Sequence, residues 1–103
     1  MLYLPAILLF LATASADVVD LQSNTFDQYV GGDKPALVEF FAPWCGHCKN
    51  LAPEWKIAGE TFQSSDNIVI AAVDATENQD LAQTYGVQGY PTIKYFPAGK
   101  LLY

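Results

Sequence analysis

Apolar residues follow two patterns along this chain, continuous runs and positions spaced three or four apart. The continuous runs at residues 36–42 and 68–73 predict strands, because the strands of a parallel sheet are covered on both faces. Two further strands are predicted at residues 18–21 and 92–96. Because these strands alternate with predicted helices, the pattern indicates an α/β fold with a mainly parallel central sheet.

The longest predicted helix covers residues 45–62, and its apolar side chains share one face. Pro53 lies inside this helix, cannot donate a backbone hydrogen bond and clashes with the preceding turn, so a kink is predicted there. The apolar stripe of the helix, which we expect to be buried, consists of Cys48, Leu51, Trp55, Ala58 and Phe62.

Two shorter helices are predicted from capping residues. Asn24 is expected to cap a helix over residues 27–30, because its side chain can accept a hydrogen bond from a free N–H group of the first turn. Thr76 and Gln79 have the spacing of a capping box for a second short helix, which is expected to end at Gly86.

The composition fits one small domain with a packed core. The chain has 103 residues, 51% of them hydrophobic, and a formal net charge of -6. Its basic residues are scattered lysines, which argues against nucleic acid or an anionic membrane surface as a partner, because both need clustered positive charge. The two cysteines and one histidine are too few for a structural zinc or iron–sulfur site within the chain, so no metal is expected.

The first sixteen residues have the pattern of a secretory signal peptide. Residues 4–12 form an apolar core, and a cleavage site of small residues ends at Ala16. A membrane anchor and a core helix are the alternatives, but the apolar run is shorter than the roughly 20 residues that span a bilayer. We therefore expect a signal peptide at 1–16, no membrane span, and a domain at 17–103 that enters the secretory pathway, where disulfides form.

The most informative motif is Cys45-Gly46-His47-Cys48, placed where a predicted strand meets a predicted helix. Residues three apart on a helix share a face, so the two sulfurs can bond. The positive end of the helix dipole favours a thiolate at Cys45, which should attack, while Cys48 lies one turn further in, should be more deeply buried and should resolve. A protonated His47 stabilises the reduced pair further, which makes it a better oxidant.

Two other interpretations of the cysteines remain open on the spacing alone. The pair could form a structural disulfide, although so short a loop restricts the unfolded chain little and so stabilises little. Both could instead be buried free thiols. Trp44 before the pair and His47 within it favour a redox function over both alternatives.

The segment Ala-Pro-Trp-Cys-Gly-His-Cys-Lys, residues 42–49, is similar to the active-site signature of the protein disulfide isomerase family, and residues 89–92 also match that family. The resemblance extends over residues 17–103. It implies a thioredoxin-like fold with helices on both sheet faces, and thiol–disulfide exchange by the cysteine pair with no other cofactor. It also implies location in the endoplasmic reticulum lumen, with unfolded or nascent secretory proteins and an upstream thiol oxidase or glutathione as partners.

Glu39 stands alone in the first apolar run and is expected to be buried, with a raised pKa, although a strand edge that reaches water is the alternative. The resemblance implies that Glu39 accepts the proton of Cys48. Lys94, on a strand expected to be adjacent, is interpreted as the charge partner of Glu39, with a solvated lysine as the alternative. Gly46 is assigned a supporting role within the motif.

The resemblance implies a cis peptide bond before Pro91, beside the cysteines, although X–Pro bonds in general are mostly trans. The backbone of Tyr90 is then free to pair with an extended substrate chain. Trp44 and Tyr90 are expected to offer apolar surface to unfolded clients, with a core position as the alternative for each. The helical spacing of Trp55 assigns it to the core.

Several parts of the family domain are missing from this sequence. The last strand, the final helix, a loop arginine and a retention signal are absent, so the chain is interpreted as a fragment of a longer protein.

Two other functions are alternatives to a protein disulfide isomerase. One is a redox-inactive, chaperone-like binding module, which would not need the intact cysteine pair. The other is a general thioredoxin-type reductase, against which His47 and the signal segment argue.

Overall fold

Strands alternate with helices through the described residues, 18–65 and 67–99 of a computed structural model. The segment interpreted as a signal peptide, residues 1–16, and the strand start expected at 101–103 lie outside those ranges. In chain order the elements are β1 Val19–Leu21, α1 Phe26–Tyr29, β2 Ala36–Phe41, α2 Gly46–Ser65, β3 Val69–Asp74, α3 Gln79–Thr84 and β4 Thr92–Phe96.

The strands form one mixed sheet in the order β1-β3-β2-β4. β3 pairs in parallel with both β1 and β2, whereas β4 pairs antiparallel to β2. Consecutive parallel strands need a crossover connection, and α1 and α2 lie in the two crossovers. This arrangement confirms the predicted α/β class with a mainly parallel sheet.

The main hydrophobic core covers one face of the sheet. Side chains alternate between faces along a strand, so Val38 and Phe40 of β2 point to the same side, where α1 and α3 pack. Phe26 of α1 lies in this core, with its ring 5.3 Å from that of Tyr85 and 5.7 Å from that of Phe96. Burial of each such side chain contributes about 1.5–3 kcal/mol, so this cluster holds both short helices on the sheet.

The opposite face of β2 carries Leu37, Glu39 and Phe41, and α2 covers part of it. Trp55 of α2 is buried as predicted, and its indole N–H donates to the Ala71 carbonyl oxygen at 3.0 Å. This bond ties the middle of α2 to β3. The N-terminus of α2 is thereby held close to the carboxyl end of β2.

The last turns of α2 are more exposed than the sequence predicts. Cys48 and Trp55 of the expected stripe are buried, but the prediction for Phe62 is wrong, because its side chain is 43% exposed. The 20 residues of α2 span about 30 Å, whereas a six-residue strand spans about 20 Å. The helix therefore extends past the sheet. Pro53 lies inside α2 without ending it, and the kink there stays a prediction.

Both predicted N-terminal caps are wrong. Thr25, not Asn24, precedes the first turn of α1, and its hydroxyl is engaged with the turn before it. Asn78, not Thr76, precedes α3, and the Thr76 hydroxyl donates to the Asp74 carboxylate at 2.6 Å. Local hydrogen bonds of this kind compete with capping, and sequence spacing does not reveal which of them forms.

The end of α3 agrees closely with the prediction. The helix ends at Thr84, and Gly86 follows with a positive φ of 67°, a conformation that glycine adopts without steric cost. The Val87 N–H then donates to the Ala82 carbonyl oxygen at 2.9 Å and closes the helix end.

A buried asparagine joins the loops that follow β1 and β3. Asn78 is 5% exposed. Its side-chain oxygen accepts from the Ser23 N–H at 2.9 Å, and its side-chain nitrogen donates to the Asp74 carbonyl oxygen at 3.0 Å. Because β1 and β3 are parallel neighbours, one side chain fixes both loops at the same edge of the sheet.

We predict that Asn78→Ala lowers the free energy of unfolding by about 1–3 kcal/mol, because it removes the part-buried hydrogen bonds to Ser23 and Asp74. Urea unfolding followed by circular dichroism measures the change. Asn24→Ala is the control, since Asn24 is exposed, and its effect should stay within about 0.5 kcal/mol. Equal effects of the two substitutions would contradict the structural role of Asn78.

Candidate active site

The cysteine pair lies at the junction between β2 and α2. β2 ends at Phe41, and Cys45 directly precedes Gly46, the first residue of the helix. The Cys45 N–H donates to the Ala42 carbonyl oxygen at 3.1 Å and closes the connecting turn. A β-carbon added at Gly46 would meet no atom within 4 Å, so packing does not require glycine there.

Both cysteines are free thiols, and they are almost equally buried. Cys45 is 7% exposed and Cys48 is 6% exposed, so Cys48 is the more buried of the two, as expected, but only by a very small margin. The two differ instead in hydrogen bonding, because the Cys48 N–H donates to the Cys45 sulfur at 3.1 Å. A backbone donor at the start of a helix stabilises negative charge on the sulfur that it reaches. That sulfur is the Sγ of Cys45.

The Cys48 thiol holds its proton tightly. Burial, together with a hydrogen bond to Cys45, raises the pKa of Cys48 to about 11. The nearby charges of Cys45 and Glu39 act in the same direction. At neutral pH Cys48 is therefore a thiol, and it needs a proton acceptor before it can attack a disulfide.

Glu39 is buried as predicted, with 5% of its surface exposed. Its burial raises the pKa of the carboxyl group above the ordinary value. Glu39 and Cys48 both line a cavity of about 510 Å³ between α2 and the sheet. An acidic group in an apolar site beside a thiol that must lose its proton can serve as the acceptor.

Lys94 is not the charge partner of Glu39, and that prediction is wrong. In the antiparallel pairing of β2 with β4, Lys94 lies opposite Val38, whereas Ile93 lies opposite Glu39. Directly opposite residues share a face, and consecutive residues alternate between faces. Lys94 is therefore on the face of Val38, and Glu39 is on the face of α2.

An aromatic pair borders the cysteines. Trp44 is 69% exposed, which excludes the core alternative for it. Its ring lies 5.7 Å from that of Tyr90, at an interplanar angle of 84°. Tyr90 is half-buried and packs against the cysteine pair, and the Tyr90–Pro91 peptide bond is cis, as the resemblance implied.

The structure thus brings most of the candidate residues together and leaves Lys94 on the other face of the sheet. Tyr90, Cys45 and Cys48 form one cluster, Glu39 lines the same cavity as Cys48, and His47 is exposed on the first turn of α2. Sequence reasoning missed the cavity and the side chains that form its wall beside Glu39. No motif marks such residues, since only strand register shows which of them face Glu39.

The described residues contain neither a candidate metal site nor a candidate membrane span. Within residues 18–65 and 67–99, no three His, Cys, Asp or Glu side chains are grouped so that they could hold a metal ion. Nor does any helix in the described ranges have both the length and the apolar character needed to cross a membrane.

Known proteins share this sequence pattern. The family model described as Thioredoxin matches residues 17–103. Protein disulfide isomerase-like 2-1 of Oryza sativa subsp. japonica is 53% identical over 91 residues, which cover 87% of this chain and 25% of that protein. Protein disulfide-isomerase of Oryctolagus cuniculus is 55% identical over 84 residues, covering 81% of this chain and 16% of that protein. The chain spans about a quarter or less of these relatives.

Solved structures share the fold. The first thioredoxin domain of mouse protein disulfide-isomerase A4 is 41% identical with a TM-score of 0.73, over 84% of this chain and 62% of that chain. Malassezia sympodialis thioredoxin (Mala s 13) is 30% identical with a TM-score of 0.73, over 85% of this chain and 76% of that chain. These matches confirm the thioredoxin-like fold and the resemblance to protein disulfide isomerases.

We predict that iodoacetamide alkylates Cys45 of the reduced chain well before Cys48 at neutral pH. The thiolate is the reactive form, and Cys48 loses its proton only near its pKa of about 11. Peptide mass spectrometry of samples quenched at successive times gives the order. In denaturant both cysteines should react at similar rates. Similar rates in the folded chain would contradict the asymmetry that we assign to the pair.

Proposed function

The chain belongs to the thioredoxin family, and from that premise we propose that it is a thiol–disulfide oxidoreductase and isomerase acting through Cys45 and Cys48. The observation that carries the proposal is the Cys48 N–H that donates to the Cys45 sulfur at 3.1 Å, at the start of α2. A sulfur in that position is stabilised as a thiolate, which is the attacking form.

In the proposed reaction, the Cys45 thiolate attacks one sulfur of a substrate disulfide, and the other substrate sulfur leaves as a thiolate. Cys48 then loses its proton and attacks the Cys45 sulfur of the mixed disulfide. The Cys45–Cys48 disulfide forms, and the substrate leaves reduced by two electrons. The reverse sequence donates a disulfide to the substrate. Resolution by a substrate thiol in place of Cys48 rearranges disulfides without net oxidation or reduction.

Glu39 is the proposed proton acceptor for Cys48. Its burial on the α2 face and its place in the cavity that Cys48 also lines support this role. The Cys48 thiol, with a pKa of about 11, supplies too little thiolate at neutral pH to attack at a useful rate unaided. The proton passes from the Cys48 sulfur to the Glu39 carboxylate as Cys48 attacks.

Substrate chains are proposed to lie across Trp44, Tyr90 and Pro91. The large exposed surface of Trp44 and its edge-to-face contact with Tyr90 support an apolar contact area that tolerates many sequences. The backbone of Tyr90 is the proposed pairing site for an extended segment of substrate. The same surface suits the binding of unfolded chains, which is the alternative function as a binding module.

His47 is proposed to make the cysteine pair more oxidising. Its side chain is exposed on the first turn of α2, two residues after Cys45. A positive charge there stabilises the reduced form of the pair relative to the disulfide. The cysteine pair is itself the redox group, and the proposed reaction uses no other cofactor.

The proposed site of action is the endoplasmic reticulum lumen. The pattern of residues 1–16 supports entry into the secretory pathway, and the relatives named above are protein disulfide isomerases. The proposed partners are unfolded or nascent secretory proteins, with glutathione or a thiol oxidase to reoxidise the pair.

We predict that Cys48→Ser accumulates a mixed disulfide with glutathione, because Cys45 still attacks and the resolving thiol is gone. The chain is mixed with oxidised glutathione, quenched with acid and weighed by mass spectrometry. Cys45→Ser is the matched control, since it also removes one cysteine but should form little adduct. Equal amounts of adduct in the two variants, or none in either, would contradict the roles proposed here.

We predict that His47→Pro lowers the reduction potential of the pair, by about 30 mV for each tenfold change in the equilibrium constant. Equilibration with glutathione buffers, followed by alkylation and mass spectrometry, gives the potential. His47→Gln replaces the imidazole by a side chain that cannot be protonated, without changing the backbone, and should move the potential in the same direction. If the reduction potential changed only in the proline variant, the effect would come from the backbone, and the electrostatic role of His47 would be contradicted.

A further inference from the structure

Glu39 lies in a row of side chains that crosses the sheet from β1 to β4. Strand pairing places Ala72 of β3 directly opposite Glu39 on one side, and Ile93 of β4 directly opposite it on the other. Such opposite residues share a face and have β-carbons about 5 Å apart. The immediate neighbours of Glu39 in the sheet are therefore uncharged, although this face is the one that meets α2.

Other ionisable groups face Glu39 from β1 and α2. Asp20 of β1 lies in the same row beyond Ala72, and Cys48 of α2 shares the cavity with Glu39. Neither group carries positive charge, so neither one stabilises a carboxylate at Glu39. The negative charge of Asp20 disfavours a negative charge on Glu39.

Two lysines of α2 also line this cavity, and both are exposed. The Lys56 ammonium lies 3.6 Å from the Glu60 carboxylate, and Lys49 is exposed on the first turns of the helix. In the described part of the chain, the ion pair of Lys56 is with Glu60 and not with Glu39. Glu39 is thus 5% exposed without an ion-pair partner among the described residues to offset the cost of its charge.

The cavity connects Glu39 with solvent. Its volume of about 510 Å³ is large enough for several water molecules, and its lining reaches the exposed side chains of Asp20, Lys49 and Lys56. Protons can therefore pass between Glu39 and bulk water, and the charge of Glu39 follows the pH of the surroundings.

We infer that Ala72 and Ile93 are positioning residues for the proposed reaction. Because both are uncharged, they leave Glu39 without a cation on its face of the sheet, and this sets the pH at which Cys48 can resolve a mixed disulfide. The inference rests on the proposed function. Below that pH Glu39 carries a proton and cannot accept another, so the Cys45–substrate disulfide persists. A substrate thiol then has longer to attack, and the balance shifts from net oxidation or reduction towards rearrangement of disulfides.

A lysine placed beside Glu39 should remove this effect. An opposite charge within about 4–6 Å moves the ionisation of a carboxyl group to a pH lower by roughly one or more. Ala72→Lys introduces such a charge, and Ala72→Met is its uncharged control of similar length. Ala72 is 7% exposed, so a lysine there could impair folding. Ile93→Lys, paired with Ile93→Met, repeats the test from the other side at a position that is 46% exposed.

Two measurements on the 103-residue chain separate the charge of Glu39 from the reaction. Carbon-13 NMR follows the Glu39 carboxyl signal with pH, with Glu39→Gln used to assign it. Stopped-flow tryptophan fluorescence follows oxidation of the reduced chain by saturating oxidised glutathione, where resolution by Cys48 limits the rate. In that step Cys48 gives its proton to Glu39, the Cys45–Cys48 disulfide forms and glutathione leaves as its thiolate.

Both lysine variants are expected to lower the midpoint of the Glu39 carboxyl titration by about one pH unit, and to move the acid limb of the resolution rate by the same amount. One pH unit below the wild-type midpoint, the ionised fraction of Glu39 should then be about fivefold larger. Resolution should be faster there by less than that ratio, because a carboxylate of lower pKa is a weaker base. The methionine variants should keep both midpoints. A lysine profile that superimposes on its methionine control would overturn the inference.

The two measurements also distinguish failure of the inference from failure of the proposed function. If the carboxyl midpoint falls in the lysine variants while the rate profile stays in place, Glu39 does not govern resolution, and the inference is wrong although exchange occurs. If the wild-type chain shows no exchange with glutathione at any pH, the proposed function fails, and the inference that rests on it fails too. A joint shift of both midpoints supports the inference.

Discussion

The chemistry of this chain depends on the hydrogen bond from the Cys48 N–H to the Cys45 sulfur. That donor is one of the backbone groups that a helix leaves unpaired at its N-terminus, so the bond exists only because α2 begins immediately after Cys45. The start of α2 is in turn fixed by the end of β2 and by the bond from the Trp55 indole to β3. Packing in the middle of the helix therefore determines the environment of a sulfur at its first turn.

Burial disfavours negative charge on Cys48 and Glu39, whereas the hydrogen bond at the start of α2 favours it on Cys45. Cys48 and Glu39 are both nearly inaccessible, and burial raises the pKa of each. A carboxyl group with an ordinary pKa would be a weak base for so weak an acid as Cys48. A buried carboxyl group holds a proton more strongly, which brings the two groups closer in proton affinity. The same apolar site that suppresses the Cys48 thiolate thus makes Glu39 a better acceptor.

The sequence was most informative where a residue's role depends on its near neighbours in the chain. The run at 92–96 matches β4 in full, and the Cys45–Cys48 spacing at a strand–helix junction predicts the site. Predictions failed where distant parts of the chain decide the outcome. Phe62 is exposed because α2 is longer than the sheet that it covers. The predicted caps failed for a different reason: the hydroxyl groups of Thr25 and Thr76 make local hydrogen bonds to Gln22 and Asp74, which spacing alone does not reveal.

The assignment of Lys94 as the charge partner of Glu39 was wrong because it depended on strand register, which the sequence does not show. Side chains on a strand alternate with a period of two, so a difference of one residue in register exchanges the two faces of the sheet. Lys94 and Ile93 are adjacent in sequence, and only their pairing with Val38 and Glu39 decides which of them meets the carboxyl group. The strand could be predicted from its apolar residues, but the register could not. Since the charge environment of Glu39 follows from register, the proton chemistry of this site is set by the tertiary structure and not by the motif that marks it.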